Sequence, residues 1–206
     1  MAAFSQLRSP GLLGVTHSPE APDDALVRSA QHGDRHAFGL LYARYARMVH
    51  GILLSRVPPH DAEDLVQDVF LQALPRLASL REPAKFPGWL AAIARNRATD
   101  FHRHTKNDVP LNEESASIES VAPASGSRRT PHTSAEAHAI LDAIRSLSET
   151  YRETLILRLV EGMTGPEIAA RTGLTHGSVR VNLHRGMQML REILSQKATP
   201  AAGGDL

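Results

Sequence analysis

The sequence predicts an all-α protein, built as two small helical domains joined by a flexible linker. Apolar residues recur at three- and four-residue spacing through most of the chain, with no strand-like alternation. The hydrophobic fraction of 42% comes from Leu, Ile, Val and Ala, with aromatics at 4%, and Ala and Leu are strong helix formers. A stretch rich in Pro and Ser, without periodicity, separates two periodic blocks.

Residues 1–22 read as a disordered tail. MAAFSQLRSPGLLGV lacks a basic start followed by a clear apolar segment, so it is not read as a signal peptide. Residues 23–104 form the first expected domain. In AFGLLYARYARMVHGILLSRV, Phe38, Leu41, Tyr45, Val49 and Ile52 keep helical spacing, and Pro58 and Pro59 end the helix. A second helix, DAEDLVQDVFLQAL, begins at Asp61 and stops near Pro75. A loop over 79–87 leads to a third, GWLAAIARNRATDFHRH. Residues 105–135, with Pro110, Pro123 and Pro131, are the expected linker. Residues 136–196 carry four helices: AHAILDAIRSL, YRETLILRLVEG, PEIAARTG and HGSVRVNLHRGMQMLREIL. Residues 197–206 read as a tail.

Composition narrows the function. The 206 residues include no cysteine, which excludes disulfides, Cys-ligated zinc and a thiol switch within the chain. No apolar run approaches the roughly 18 residues of a membrane span, so no membrane insertion is expected and a cytoplasmic location follows. The net charge of +1 is not that of a generic DNA coat, but its distribution is uneven. Between Thr175 and Arg191 stand Arg180, Arg185 and Arg191 with no acid, whereas Asp61 to Asp68 holds four acids and no base. One basic helix and one acidic helix point to two different partners.

The stretch TGPEIAARTGLTHGSVRVNLHR, from Thr164 to Arg185, reads as two short helices around a tight turn. Thr164 caps the first, with Glu167 three residues on to close a capping box. Ile168 and Ala169 form an apolar step, small enough at Ala169 for a second helix to cross. Gly173 ends the first helix in a left-handed residue, Leu174 plugs the turn, and Thr175 caps the second. This is a helix-turn-helix, whose second helix enters a DNA major groove. On it, Val179, Leu183, Met187 and Leu190 share the core side, and Arg180, Val181, His184, Arg185 and Gln188 occupy the other. Arg pairs with guanine or phosphate, Gln reads adenine, and Val meets a thymine methyl.

On the acidic helix, Asp61, Asp64, Asp68 and Gln72 form one stripe, opposite Ala62, Val66, Val69 and Ala73. Carboxylates near a helix N-terminus favour its dipole, but Asp68 lies two turns in, beyond its reach. Leu65 and Leu71 flank the acids as apolar anchors. Together they suggest a protein interface for a basic partner.

In this order the parts resemble a bacterial RNA polymerase sigma factor of the small, two-domain extracytoplasmic-function (ECF) group. The resemblance rests on DDALVRSAQHGDRHAFGLLYARYARMV as the start of a three-helix unit, then DAEDLVQDVFLQAL, FPGWLAAIARNRATDFHR, a linker and the helix-turn-helix. It covers residues 23–104 and 136–195. It implies that Asp61, Asp64, Leu65, Asp68 and Leu71 dock on the β′ clamp helices of core RNA polymerase, with the β flap as a further contact. The stretch from Leu80 through Asn96 would capture the melted minus-ten strand, with Lys85, Arg95, Asn96 and Arg103 as its polar and basic groups. A flipped base exposes its edges to such side chains. Trp89 is read as a core anchor.

The resemblance further implies that Arg180, Val181, His184, Arg185 and Gln188 read the minus-thirty-five element of promoter DNA. The linker would thread the polymerase cleft, and an anti-sigma factor is a candidate partner. The family often carries basic residues where this chain has Asn182, and small-basic pairs at Gly186 and Met187, so its own DNA preference is expected to depart there. With little sequence after the helix-turn-helix, the extra C-terminal domain of some members is not expected.

Two rival readings carry less of the chain. An ordinary helix-turn-helix regulator explains Thr164 to Arg185 but neither the acidic helix nor FPGWLAAIARN. An enzyme is suggested by eleven histidines, with His32 and His36 at a zinc-holding spacing on one expected helix. No third ligand and no nucleotide-binding Gly loop accompany them, so no catalysis, metal or cofactor is expected.

Overall fold

The computed structural model describes residues 20–107 and 131–198. Every regular element among them is helical. The first half comprises α1 (Asp23–Gln31), α2 (Arg35–Leu54), α3 (Pro59–Arg76) and α4 (Phe86–Asn107), with 3-10 turns at Leu77–Ser79 and Pro83–Lys85 between the last two. The second half comprises α5 (Pro131–Arg145), α6 (Glu149–Leu159), α7 (Gly165–Thr172) and α8 (His176–Ala198). The tails and the central linker expected from the sequence lie outside the described residues over 1–19, 108–130 and 199–206.

The expected three-helix unit has four helices. Gly33 takes a φ of 92° and ends α1. Asp34 then caps α2, its carboxylate accepting from the backbone N–H groups of His36 at 2.8 Å and Ala37 at 3.1 Å. His32 therefore lies in the turn after α1 and His36 in the first turn of α2, not together on one helix. Prolines set other boundaries: Pro59 and Pro131 open α3 and α5, and Pro87 sits in the first turn of α4. A missing N–H costs nothing at those positions.

Leu26, Leu41, Met48, Ile52, Phe86 and Leu90 are fully buried in the first half. Each such side chain contributes about 1.5–3 kcal/mol. Tyr45 sets its ring edge-on to Phe86, with centroids 5.4 Å apart. Its hydroxyl donates to Asp23, which also pairs with Arg44. Burial raises the Tyr45 pKa, so the phenol keeps its proton and remains a donor. The Gln31 amide donates to the carbonyls of Leu77 at 3.0 Å and Leu80 at 2.8 Å, tying α1 to the turn that precedes α4.

The two halves pack on one another, α6 against α2 and α7 against α4. Leu155, Ile156 and Leu157 are consecutive and all fully buried. Consecutive helical side chains point about 100° apart, so α6 is enclosed on several sides. Toward α8, a Cβ added to Gly186 would lie 3.1 Å from Leu155. Toward α2, one added to Gly51 would lie 2.7 Å from Leu157. Arg145 donates to the carbonyls of Leu54 at 3.0 Å and Val57 at 2.5 Å, and Arg152 to that of Ser55 at 3.1 Å. These cations satisfy carbonyls around the C-terminal end of α2, where the helix dipole favours positive charge.

Candidate nucleic-acid interface

The helix-turn-helix forms as its residues dictate. Thr164 caps α7, and the Glu167 carboxylate accepts in return from the Thr164 N–H at 2.8 Å. That backbone hydrogen bond, with a second from the Thr164 hydroxyl, holds the Glu167 carboxyl below its ordinary range. Gly173 adopts φ 78°, a conformation that Gly accepts without a Cβ penalty. Thr175 Oγ1 accepts from the Ser178 N–H at 3.1 Å and starts α8. Leu174 is half-buried in the turn between them.

Along α8, Val179 and Leu190 are buried, and Leu183 and Met187 pack partly buried against the core. Arg180, Val181, His184, Arg185 and Gln188 face solvent. Four of them, Arg180, Val181, His184 and Arg185, line a shallow depression of about 330 Å³. Val181, an apolar side chain, is left 43% exposed there. Asn182 and Gly186, expected to shape the DNA preference, are instead buried on the inner side of the helix. Asn182 lines a cleft with Arg56, Arg95, Glu153 and Leu174, and Gly186 lets α6 approach. Their departure from the family pattern concerns packing, not duplex contact.

On α3, Asp64 is exposed and Asp61 and Asp68 are partly so. Leu65 does not join them: it is 4% exposed, in the core stripe with Ala62, Val66 and Val69. Its position three residues after Ala62 and four before Val69 puts it on the inner face. Leu71 is 68% exposed. Arg97 of α4 donates to the Asp68 carboxylate at 2.7 Å. With Leu71, Gln72, Asp100 and Phe101, this pair lines an open groove of about 630 Å³ between α3 and α4.

The residues expected to hold a DNA strand are not all on one open surface. Asn96 is exposed. Lys85 is exposed and bonded to Glu82 at 2.8 Å, and Arg103 lies 3.6 Å from Asp100. Arg95 instead faces the second half, donating to both oxygens of Glu153 at 2.7 and 3.1 Å. The turn after α7 also covers the start of α4, where a Cβ on Gly88 would sit 3.7 Å from the Gly173 Cα.

Two family profiles match the chain, one described as Sigma-70 region 2 over residues 41–107 and one as Sigma-70, region 4 over residues 137–190. The chain is 35% identical to the RNA polymerase sigma factor CarQ of Myxococcus xanthus, across 80% of this chain and 92% of that one. The chain belongs to the ECF group of RNA polymerase sigma factors. It is likewise 31% identical to the ECF RNA polymerase sigma-E factor of Escherichia coli K12, across 89% of this chain and 97% of that one. Among solved structures, CnrH in complex with the cytosolic domain of CnrY matches with a TM-score of 0.58 and 26% identity, over 85% of this chain and 99% of that one. The fold is also that of the sigma factor RpoE in complex with the anti-sigma factor NepR from Bartonella quintana, at a TM-score of 0.54 and 24% identity, over 77% of this chain and 96% of that one. As a sigma factor, this chain binds core RNA polymerase and promoter DNA. Sigma factors are promoter-recognition subunits, not catalysts.

Sequence reasoning missed the charged groups between the two halves of this sigma factor. Glu153 is 5% exposed and also takes Arg56 at 2.9 Å. Glu161 is 6% exposed and lies 2.6 Å from His50 Nδ1 and 3.4 Å from Arg47 Nε. One signal was present. The run Thr154–Leu155–Ile156–Leu157 inside a helix leaves no wholly polar face, and such a helix is enclosed by more than one neighbour. Among the described residues, no group of three or more His, Asp or Glu could hold a metal ion, and no helix is long and apolar enough to cross a membrane.

Proposed function

We propose that this sigma factor grips a promoter at two points while docked on core polymerase. Its domains are read as residues 23–104 and 136–196, joined through 105–135. Arg180, Val181, His184, Arg185 and Gln188 of α8 read the minus-thirty-five duplex. Lys85, Arg95, Asn96 and Arg103 hold the unpaired minus-ten strand. Asp61, Asp64, Asp68 and Leu71 dock on the β′ clamp helices, and region 4 sits near the β flap. Extruding a base costs a few kcal/mol, which contacts to the captured strand offset. The protein acts in the cytoplasm, with polymerase, and performs no chemistry of its own. An anti-sigma factor is a fitting partner, as for the Bartonella protein.

The observation that carries this reading is the division of α8. Three basic side chains and Val181 stand in solvent, on the face opposite buried Val179 and Leu190. The test is run-off transcription with core polymerase on the DNA upstream of the protein's own gene. A discrete transcript that requires this chain is expected. It should be lost when Asp61→Lys and Asp64→Lys are combined, with the helical content by circular dichroism unchanged. Full transcription by that double variant would remove α3 from the polymerase interface.

A further inference from the structure

The loop that leads from α3 into α4 is anchored at few points. Leu77, Pro83 and Phe86 are buried, and the residues between them are exposed except half-buried Leu80. Its two cations, Arg81 and Lys85, stand in solvent. The Leu80 N–H donates to the Leu77 carbonyl at 3.0 Å, and the Lys85 N–H to that of Glu82 at 2.9 Å. Each of these bonds stays within one 3-10 turn. Leu80 and Glu82, at the joint between the turns, are extended, with ψ of 102° and 95°.

The joint is held from outside, by Gln31. Its Nε2 donates to the carbonyls of Leu77 at 3.0 Å and Leu80 at 2.8 Å. A carbonyl oxygen only accepts, so the amide presents its nitrogen and uses both N–H groups. The helix behind it is well seated. Leu26, Val27 and Ala30 bury the inner face of α1, and Asp23 pairs with Arg44 and accepts from the Tyr45 hydroxyl. Gln31 is the last residue of α1 and precedes the residues matched to Sigma-70 region 2, 41–107.

We propose that Gln31 is a positioning residue for capture of the minus-ten strand. Its side chain is occupied by the loop and does not itself meet DNA. It keeps the loop in one shape ahead of binding, which removes the cost of ordering that loop when a base enters. A loop with one shape also discriminates among bases, whereas a loose one adapts to several. This deepens the reading of residues 80–96 as the minus-ten strand site and rests on it.

The test is selection by holoenzyme from a randomised single-stranded DNA library. Affinities are then measured for the selected sequence and for a scrambled one. Gln31→Met keeps the reach of the side chain and removes both donors. Gln31→Glu has the same shape but turns acceptors toward both carbonyls. Gln31→Lys restores donors, and its added charge raises both affinities alike and cancels in their ratio. The ratio should fall about tenfold in Gln31→Met and Gln31→Glu and return in Gln31→Lys. Affinity for core polymerase should be unchanged in all three. Hydrogen exchange over residues 77–86 in the same holoenzymes should quicken in the first two variants alone. An unchanged ratio in Gln31→Met and Gln31→Glu overturns the proposal. If their exchange has nonetheless quickened, the contact only braces the fold. A fallen ratio without faster exchange overturns it as well. If the unmodified holoenzyme selects no sequence, the strand site itself falls, and the proposal with it.

Discussion

Arg95 and Glu153 stand 58 residues apart in sequence and in contact in space, through guanidinium nitrogens 2.7 and 3.1 Å from the two carboxylate oxygens. One belongs to region 2 and the other to region 4. A basic residue assigned to nucleic acid by its place in the chain is thus engaged by an acid from the other half.

Two leucines on α3 should separate folding from docking. Leu65→Ala empties a core position and should cost about 2–5 kcal/mol of stability. Leu71→Ala removes an exposed side chain and should stay within about 0.5 kcal/mol of the parent, yet weaken binding to core polymerase. Denaturant melts and a polymerase titration of both variants check this. A large loss of stability in Leu71→Ala would place that residue in the fold instead of the interface.

On α8, neighbouring residues should behave in opposite ways. Arg180→Ala should weaken binding to the upstream element by about 1–3 kcal/mol and relax its sequence preference. Asn182→Ala should leave that preference intact, since Asn182 is only 8% exposed. Selection from a randomised minus-thirty-five library with holoenzyme measures both. An altered preference in Asn182→Ala would return that residue to the DNA face.

The contact between His50 and Glu161 should make stability depend on pH. The hydrogen bond to Glu161 raises the His50 pKa above 6.5, against the opposing effect of burial. Glu63 of α3 adds attraction, and Arg47 approaches Glu161 from one turn earlier on α2. A group whose pKa rises on folding contributes fully below its unfolded value and is lost as pH climbs through the folded one. The protein should therefore lose stability between mildly acidic and mildly alkaline pH, and His50→Gln should flatten that slope. Denaturant midpoints across this range give the answer, and an unchanged slope in His50→Gln would assign it to other groups.

Much of the fold was legible because its signals are local. Capping at Thr164 and Thr175, the left-handed Gly173 and the 3.6-residue spacing of Val179, Leu183 and Leu190 each depend on residues a turn away. The same locality marks Gly33 and Asp34, a glycine stop followed by a cap, although the expected first helix ran through them. Leu65 was misplaced because a stripe of acids has two flanks, and its flank is the buried one.

By itself, the sequence determined the helices, their caps and the chemical character of their outer faces, because those follow from backbone geometry and side-chain spacing within a few residues. Only the tertiary structure decided that Asn182 and Gly186 face inward, that Asp68 pairs with Arg97, and that Glu153 crosses to Arg56 and Arg95. Burial and charge pairing depend on which faces meet across dozens of residues. A carboxylate on a helix has the same local signature whether it meets water or an arginine from the other half of the chain.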